Sequence, residues 1–299
     1  MKILLTGAGG FIGSHILASL IKTYGAESVV VLSSEKIAYV NCVIYQSVHS
    51  FETEESTFDD VTHLIHAGAF IPKEARQAND LAACSSNIEY TKNLLSHKFK
   101  MLTRILNVST VDVYAPTADK LSEKSCIRPI SLYGSSKLYC EEMVKSFSEK
   151  RNVSYINLRI GHVYGPGEEK YRKVLPTAIE NILSDKPVEL WGDGSDLRSF
   201  IFIEDVVDSI MNALIVLQND IDINVTSGKA VSILELLNTL ISVSPKLVKI
   251  KNRESNHTKR NLVFDNRLLL RTLLKKETDL KHGLKLEYEY MKSKLENNI

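Results

Sequence analysis

The 299-residue sequence has almost no charge imbalance: 37 Lys and Arg against 36 Asp and Glu leave a formal net charge of +1. Without a basic excess there is no electrostatic footprint for a nucleic-acid backbone, and no acidic tail stands out. Cysteine is sparse. Cys42, Cys84, Cys126 and Cys140 match neither zinc-ligand spacing nor a disulfide framework, so a reduced, cytoplasmic setting without metal is expected. Long apolar runs are missing too. The run before Gly7 is too short for a secretory signal, and nothing reaches the length of a membrane span, so no membrane partner is expected. Internal repeats and low-complexity tracts are absent. What is present is 44% hydrophobic residues, enough for a real core, on a chain longer than one ordinary domain.

The order of patterns predicts an α/β fold. Residues 2–6 read as a buried strand without alternation, and 12–24 as a helix with Ile12, Ile16, Leu17, Leu20 and Ile21 on one stripe. Strands follow at 29–32, near 42–45, at 62–67 and at 104–109, with a helix at 80–97. A helix at 133–150, with Leu138, Met143, Val144 and Phe147 inward, leads to a strand at 154–160. This alternation is that of βαβ units in a doubly wound parallel sheet. Beyond it come helices at 175–183, 204–217 and 232–241, the last capped by Ser232, and short extended segments at 187–192, 198–203 and 223–228. The expected organisation is a Rossmann-type dinucleotide-binding domain over 1–165 and a smaller mixed α/β lobe over 166–299, with 198–228 packing back on the first domain.

The glycine turn TGAGGFIG has the strand-before, helix-after setting of a pyrophosphate cradle. Gly7 permits the sharp turn, Gly9 or Gly10 lets a pyrophosphate approach, and Gly13 lets helix and strand lie close. Phe11 and Ile12 open the helix whose backbone N–H groups would meet the phosphates. After the second strand an NAD site usually has a carboxylate for the ribose; here the chain reads Leu32-Ser33-Ser34-Glu35-Lys36. Ser33, Ser34 and Lys36 suit a 2′-phosphate, so NADP is expected, with NAD as the alternative through Glu35. Small residues Ala67, Gly68 and Ala69 suit a dinucleotide crossing the fourth strand's end. His66 beside them reads as a packed histidine rather than a base.

Tyr133 and Lys137 share one helix face at i and i+4. An ammonium near a phenol favours phenolate, which can exchange a proton with an alcohol or ketone while a nicotinamide exchanges hydride. Thr110, just past a parallel strand's carboxyl end, is placed to hold the substrate oxygen. Asp112, two residues on, either acts as an acid or caps the turn.

Together these pieces resemble the NAD-dependent epimerase/dehydratase family, the extended short-chain dehydrogenases that modify nucleotide sugars. The resemblance spans roughly residues 1–240 and rests on TGAGGFIG, HAGA at 66–69, Asn87, STVDVY at 109–114, YGSSK at 133–137, LRIGHVYGPG at 158–167 and GDGSDLRSFIFIEDV at 192–206. It implies Thr110, Tyr133 and Lys137 as catalytic residues, with Lys137 also on the nicotinamide ribose and Asn87 near the cofactor. It implies His162 and Arg198 as substrate contacts, Arg198 on a diphosphate, with Asp112 beside them. It also implies a nucleotide-sugar substrate and a homodimer paired through helices 80–97 and 133–150.

Departures sharpen the expectation. The Asp-Glu pair of the family's dehydratases reads Val111-Asp112, and the cysteine of its fucose-synthase branch reads Asp112. With Ser33 also in place of a ribose carboxylate, the favoured expectation is an NADPH-dependent reductase of a nucleotide-linked 4-keto-6-deoxy sugar. The alternative is a 4-epimerase that retains NAD, and a non-catalytic cofactor-binding scaffold is the third reading.

Overall fold

The computed structural model describes residues 1–51, 53–54, 56–255 and 259–297. The elements begin with β1 (Ile3–Thr6), α1 (Phe11–Tyr24), β2 (Val29–Ser33), β3 (Asn41–Ile44), β4 (His63–His66), α2 (Leu81–Ser96) and β5 (Arg104–Thr110). Next come α3 (Leu132–Arg151), β6 (Ser154–Ile160), β7 (His162–Tyr164), α4 (Val174–Leu183), β8 (Val188–Trp191), β9 (Leu197–Phe202) and α5 (Ile203–Ala213). The chain ends with β10 (Ile221–Val225), β11 (Ala230–Ser232), α6 (Ile233–Val243), β12 (Ile250–Arg253), α7 (Arg267–Thr272) and α8 (Leu280–Asn297).

Seven strands form one parallel sheet in the order β10-β6-β5-β4-β1-β2-β3. The order reverses between β1 and β4, and at such a switch point the loops part to leave a crevice at the strands' carboxyl ends. The expected doubly wound α/β core is therefore present. A smaller lobe adds a three-stranded sheet, β11-β9-β7, and a parallel pair, β12-β8. Apolar side chains of α1 and α5 merge with those of α4, α6 and α8 into one core on one side of the main sheet. The other face is covered by α2 and α3. No helix among the described residues is long and apolar enough to cross a membrane.

Two local readings need correction. The helix expected to 217 stops at Ala213, because Arg104 Nη1 donates to the carbonyls of Ala213 (2.8 Å) and Val216 (2.7 Å) and closes the chain there. On α3 the buried face is Tyr133, Lys137, Cys140, Glu141, Val144 and Ser148, while Leu138, Met143 and Phe147 are half-buried. Within this face the Glu141 carboxylate is tolerated because it has partners. Ser109 Oγ donates to Glu141 Oε1 at 2.5 Å, Arg159 Nη2 meets Glu141 Oε2 and Asp222 Oδ2 at 2.7 Å each, and Arg159 Nη1 donates to Tyr114 Oη at 3.0 Å. The pair ties α3 to β5 and β6 behind the crevice. Removing the cation alone leaves a buried carboxylate unpaired. Arg159→Met should therefore destabilise the fold by about 3–5 kcal/mol in urea unfolding; a loss near zero would show that the cluster does not anchor α3.

Candidate active site

The crevice begins at the glycine turn. Gly7 has φ +75°, and a Cβ there would sit 2.6 Å from the backbone of Ala67 and Gly68. A Cβ on Gly13 would lie 1.9 Å from the Gly7 carbonyl oxygen, so α1 can only start this close to β1 with glycine at that place. The Gly10 N–H donates to Gly7 O at 3.0 Å, while Gly9 faces open space. A cavity of ≈ 600 Å³ is lined by Gly7, Gly10, Phe11, Ile12, Gly13, Ala67, Gly68, Ala69 and Asn87. The tight glycine contacts and the helix N-terminus fit a dinucleotide pyrophosphate.

A buried relay fixes the far wall of this cavity. The Gly68 N–H donates to Thr6 Oγ1, which lies 2.9 Å from His66 Nδ1. His66 Nε2 lies 2.9 Å from Thr91 Oγ1, and Thr91 donates to the Asn87 carbonyl. The sense of donation makes Nδ1 the acceptor and Nε2 the protonated nitrogen. Burial and Lys137 hold the imidazole neutral, lowering its pKa to about 3. His66 is thus a packed histidine, as its strand-end setting suggests. Asn87 turns its amide to the 66–71 loop: Oδ1 accepts from Phe70 N at 2.6 Å and Nδ2 donates to Phe70 O and Ser136 Oγ, each at 3.2 Å. Its direct partners are the loop and α3.

Thr110 ends β5 and accepts the Asp112 N–H at 3.2 Å. Gly134 lets α3 start against this turn, since a Cβ there would meet the Asp112 carbonyl at 2.4 Å. Tyr133 consequently stands beside Thr110 and Asp112. A second cavity of ≈ 430 Å³ is lined by Thr110, Asp112, Tyr133, Lys137, His162 and Arg198, together with Phe11, Ile12 and Ala67 of the cofactor side. Burial and the Asp112 charge push the Tyr133 phenol well up, against a hydrogen bond from Thr110. Burial lowers Lys137, whose charge acts on Cys140 and His66. Desolvation and Asp112, not Lys137, therefore set the Tyr133 phenol in this geometry. Asp112 itself is raised by burial, with Arg260 and Thr110 opposing.

The opposite end of the cavity is cationic. His162, on β7, is driven to about 3 by burial and by Arg198, Lys173 and Arg260, and its Nδ1 is buried without a partner. Arg198 Nη1 donates to the carbonyls of Leu197 and Arg260, 3.8 Å from Asp196. A further cavity of ≈ 410 Å³ shares His162, Lys173 and Arg198 and runs on to Leu175 and Phe200. Lys173, Arg260 and Tyr171 escaped the sequence reading. The alternation in Leu262 and Phe264 is the signal that could have found Arg260: this stretch adds to the edge of β9, with Leu262 N donating to Leu197 O at 2.9 Å, and so lies beside Arg198. The 165–171 segment meets the glycine turn, through His15 Nε2 against Pro166 O at 2.8 Å and Lys170 Nζ on Gly9 O at 3.3 Å.

Ser33, Ser34 and Lys36 are not brought together as a phosphate site. The Ser33 hydroxyl accepts the Glu35 N–H at 3.3 Å, turning toward its own loop, while Ser34 and Lys36 are exposed and do not line the cofactor cavity.

Comparison with known proteins agrees with this geometry. Residues 3–225 match the model of the NAD dependent epimerase/dehydratase family. A putative UDP-glucose 4-epimerase of Methanocaldococcus jannaschii is 28% identical over 309 residues, 97% of this chain and 98% of its own length. A mutant UDP-glucuronic acid 4-epimerase of Bacillus cereus, in complex with UDP-4-deoxy-4-fluoro-glucuronic acid and NAD, has a TM-score of 0.85 at 26% identity, covering 98% of this chain and 99% of that one. A UDP-glucose 4-epimerase of Thermotoga maritima with UDP-glucose has a TM-score of 0.84 at 25% identity, covering 99% and 100%. NAD in the Bacillus complex, with the self-engaged Ser33, overturns the expectation of NADP.

The His66 relay has a pH signature. An imidazole whose folded pKa lies below its unfolded value stabilises fully above about pH 6.5, and that stability fades as pH falls toward the folded value of about 3. Wild-type unfolding free energy should rise between about pH 5 and pH 7.5, and His66→Asn should reduce that rise by on the order of 1–2 kcal/mol, leaving the part that comes from His162. An equal rise in both proteins would place the titration elsewhere.

Proposed function

The chain belongs to the NAD dependent epimerase/dehydratase family, and from that premise we propose that it is a nucleotide-sugar 4-epimerase that retains NAD. The observation that carries this reading is one cavity with Thr110, Tyr133 and Lys137 at the cofactor side and Arg198, Arg260 and Lys173 at the other. Guanidinium and ammonium groups at that end suit a diphosphate, and the buried, unpartnered Nε of Arg260 is a donor that an oxyanion would satisfy. A sugar on that diphosphate then reaches the hydroxyl pair. The relatives described above support a UDP-linked hexose or uronic acid and NAD.

The residues divide the work. Thr110 holds the sugar oxygen, and Tyr133 takes its proton as C4 is oxidised and returns it on reduction. Bound NAD supplies the hydride acceptor and a positive charge that favours the phenolate. Lys137 holds the ribose edge and keeps a second positive charge in the pocket. Asp112 opposes both charges and favours the protonated phenol of Tyr133. Inversion needs the ketone to present its other face before reduction. With NADP set aside, the reductase reading loses its motive, since a retained NAD serves a reaction with no net redox change.

Two measurements test this. Denaturing the purified protein should release NAD at close to one equivalent per chain, and UDP-hexose should convert to its C4 epimer without added cofactor. Tyr133→Phe should cut that turnover by about 10²-fold or more. Conversion that needs added NADPH, or that survives the substitution, would contradict the assignment.

A further inference from the structure

The most anomalous buried groups lie just outside the reacting cavity. Glu168, in the turn after Gly167, is 2% exposed; its Oε1 sits 3.0 Å from Lys173 Nζ, and its Oε2 is buried without a hydrogen-bond partner. Glu287, midway along α8, is 1% exposed, and neither of its oxygens has a partner. Glu169 reaches Lys294 at 2.6 Å with one oxygen and buries the other unpartnered. Helix α8 runs along the segment that follows β7, with Gly283 packed against the Tyr164 phenol and Lys294 on Glu169, so the buried Glu287 between them is laid against a segment that already carries two carboxyls. The charged groups acting on Glu287 are Glu168, Glu169 and Lys173 from that segment; Lys294 lies farther along its own helix, paired with Glu169. Tyr164 of β7 links the cluster to Asp205, Glu277 and Asp279.

Like charges at this burial exclude one another. Burial and the two neighbouring carboxylates push the Glu287 carboxyl well upward, whereas Lys173 partly offsets the rise at Glu168. A proton on Glu287 and a charge on Glu168 is the arrangement that leaves Lys173 an ionised partner. Lys173 in turn lines both chambers with His162 and Arg198, and the same segment brings Tyr171 to the cavity and Lys170 to the glycine turn.

We propose that Glu287 and Glu168 are positioning residues of the substrate site: with the proton on Glu287, ionised Glu168 holds the Lys173 ammonium at the cleft, and loss of that proton sets two buried charges against each other and loosens segment 165–173. The link to substrate rests on the cleft taking a nucleotide diphosphate. The result is a site whose grip on the diphosphate weakens in alkali through groups that touch neither substrate nor cofactor.

The test uses the full chain with its cofactor, UDP as probe, and calorimetric binding above the phosphate's own titration near pH ~6. Wild-type affinity should fall about threefold or more as pH rises from about 7 toward the onset of the uracil ring's own ionisation, while Glu287→Gln, which cannot ionise, loses less over the same range. Lys173→Met should bind more weakly and lose the pH dependence. A pH-independent wild type, or a Gln variant that follows it, overturns the proposal. Melting temperature without UDP is a second readout. An acid whose folded pKa is raised loses its stabilising effect as pH rises from about 4.5 to the folded value, so Glu287→Gln should gain on wild type steadily over that range. A constant gap between the two overturns the carboxyl pair, whereas absence of UDP binding with a widening gap overturns the nucleotide reading of the cleft and leaves the pair standing.

Discussion

Everything at the crevice depends on how closely backbone meets backbone at the switch point between β1 and β4. Gly7 touches Ala67 and Gly68 at distances no side chain would allow, and Gly13 lies against Gly7. Those contacts set where α1 begins and hence where its N-terminal amides point. The Thr6–His66–Thr91 relay holds the same junction from beneath, and Asn87 clamps the loop beyond it to α2 and α3. Because α3 carries Tyr133 and Lys137, the glycine turn and the Tyr133–Lys137 pair are fixed to one frame.

Charge is distributed along the cavity rather than balanced at each point. Burial and Asp112 oppose ionisation of Tyr133 at one end, and burial with three cations holds His162 neutral at the other. As proposed, a diphosphate would neutralise the cationic end and a positively charged cofactor would offset Asp112. Behind the cavity, Arg159 with Glu141 and Asp222 supplies a buried ionic anchor, and Glu168 with Glu287 supplies a protonated one. Both sit behind residues of the site and hold them in place.

Much of this was legible in the sequence, for definite reasons. The glycine turn and the parallel strands have local signatures, because unalternated apolar runs and φ-permissive residues report backbone geometry directly. Strand β6 and the Ser232 cap fall where patterns place them. Inward polar faces were not legible: α3 buries Glu141 because Ser109 and Arg159 meet it, and no periodicity reveals a partner from another strand. Arg260 and Lys173 were hidden for the same reason, each reaching the cavity through tertiary contact. At the adenosine end, Ser33 showed what was missing from a ribose clamp, but its own turn to the Glu35 amide determines what it binds.

The central claim is that one cavity removes a hydride from C4 of a nucleotide sugar and returns it to the same carbon. The most direct measurement follows a UDP-hexose deuterated at C4, incubated with purified protein and no added cofactor, by NMR of the product. Inversion at C4 with the deuterium retained is the expected result. Deuterium lost to solvent, or a reduced product of unchanged C4 configuration, would contradict it.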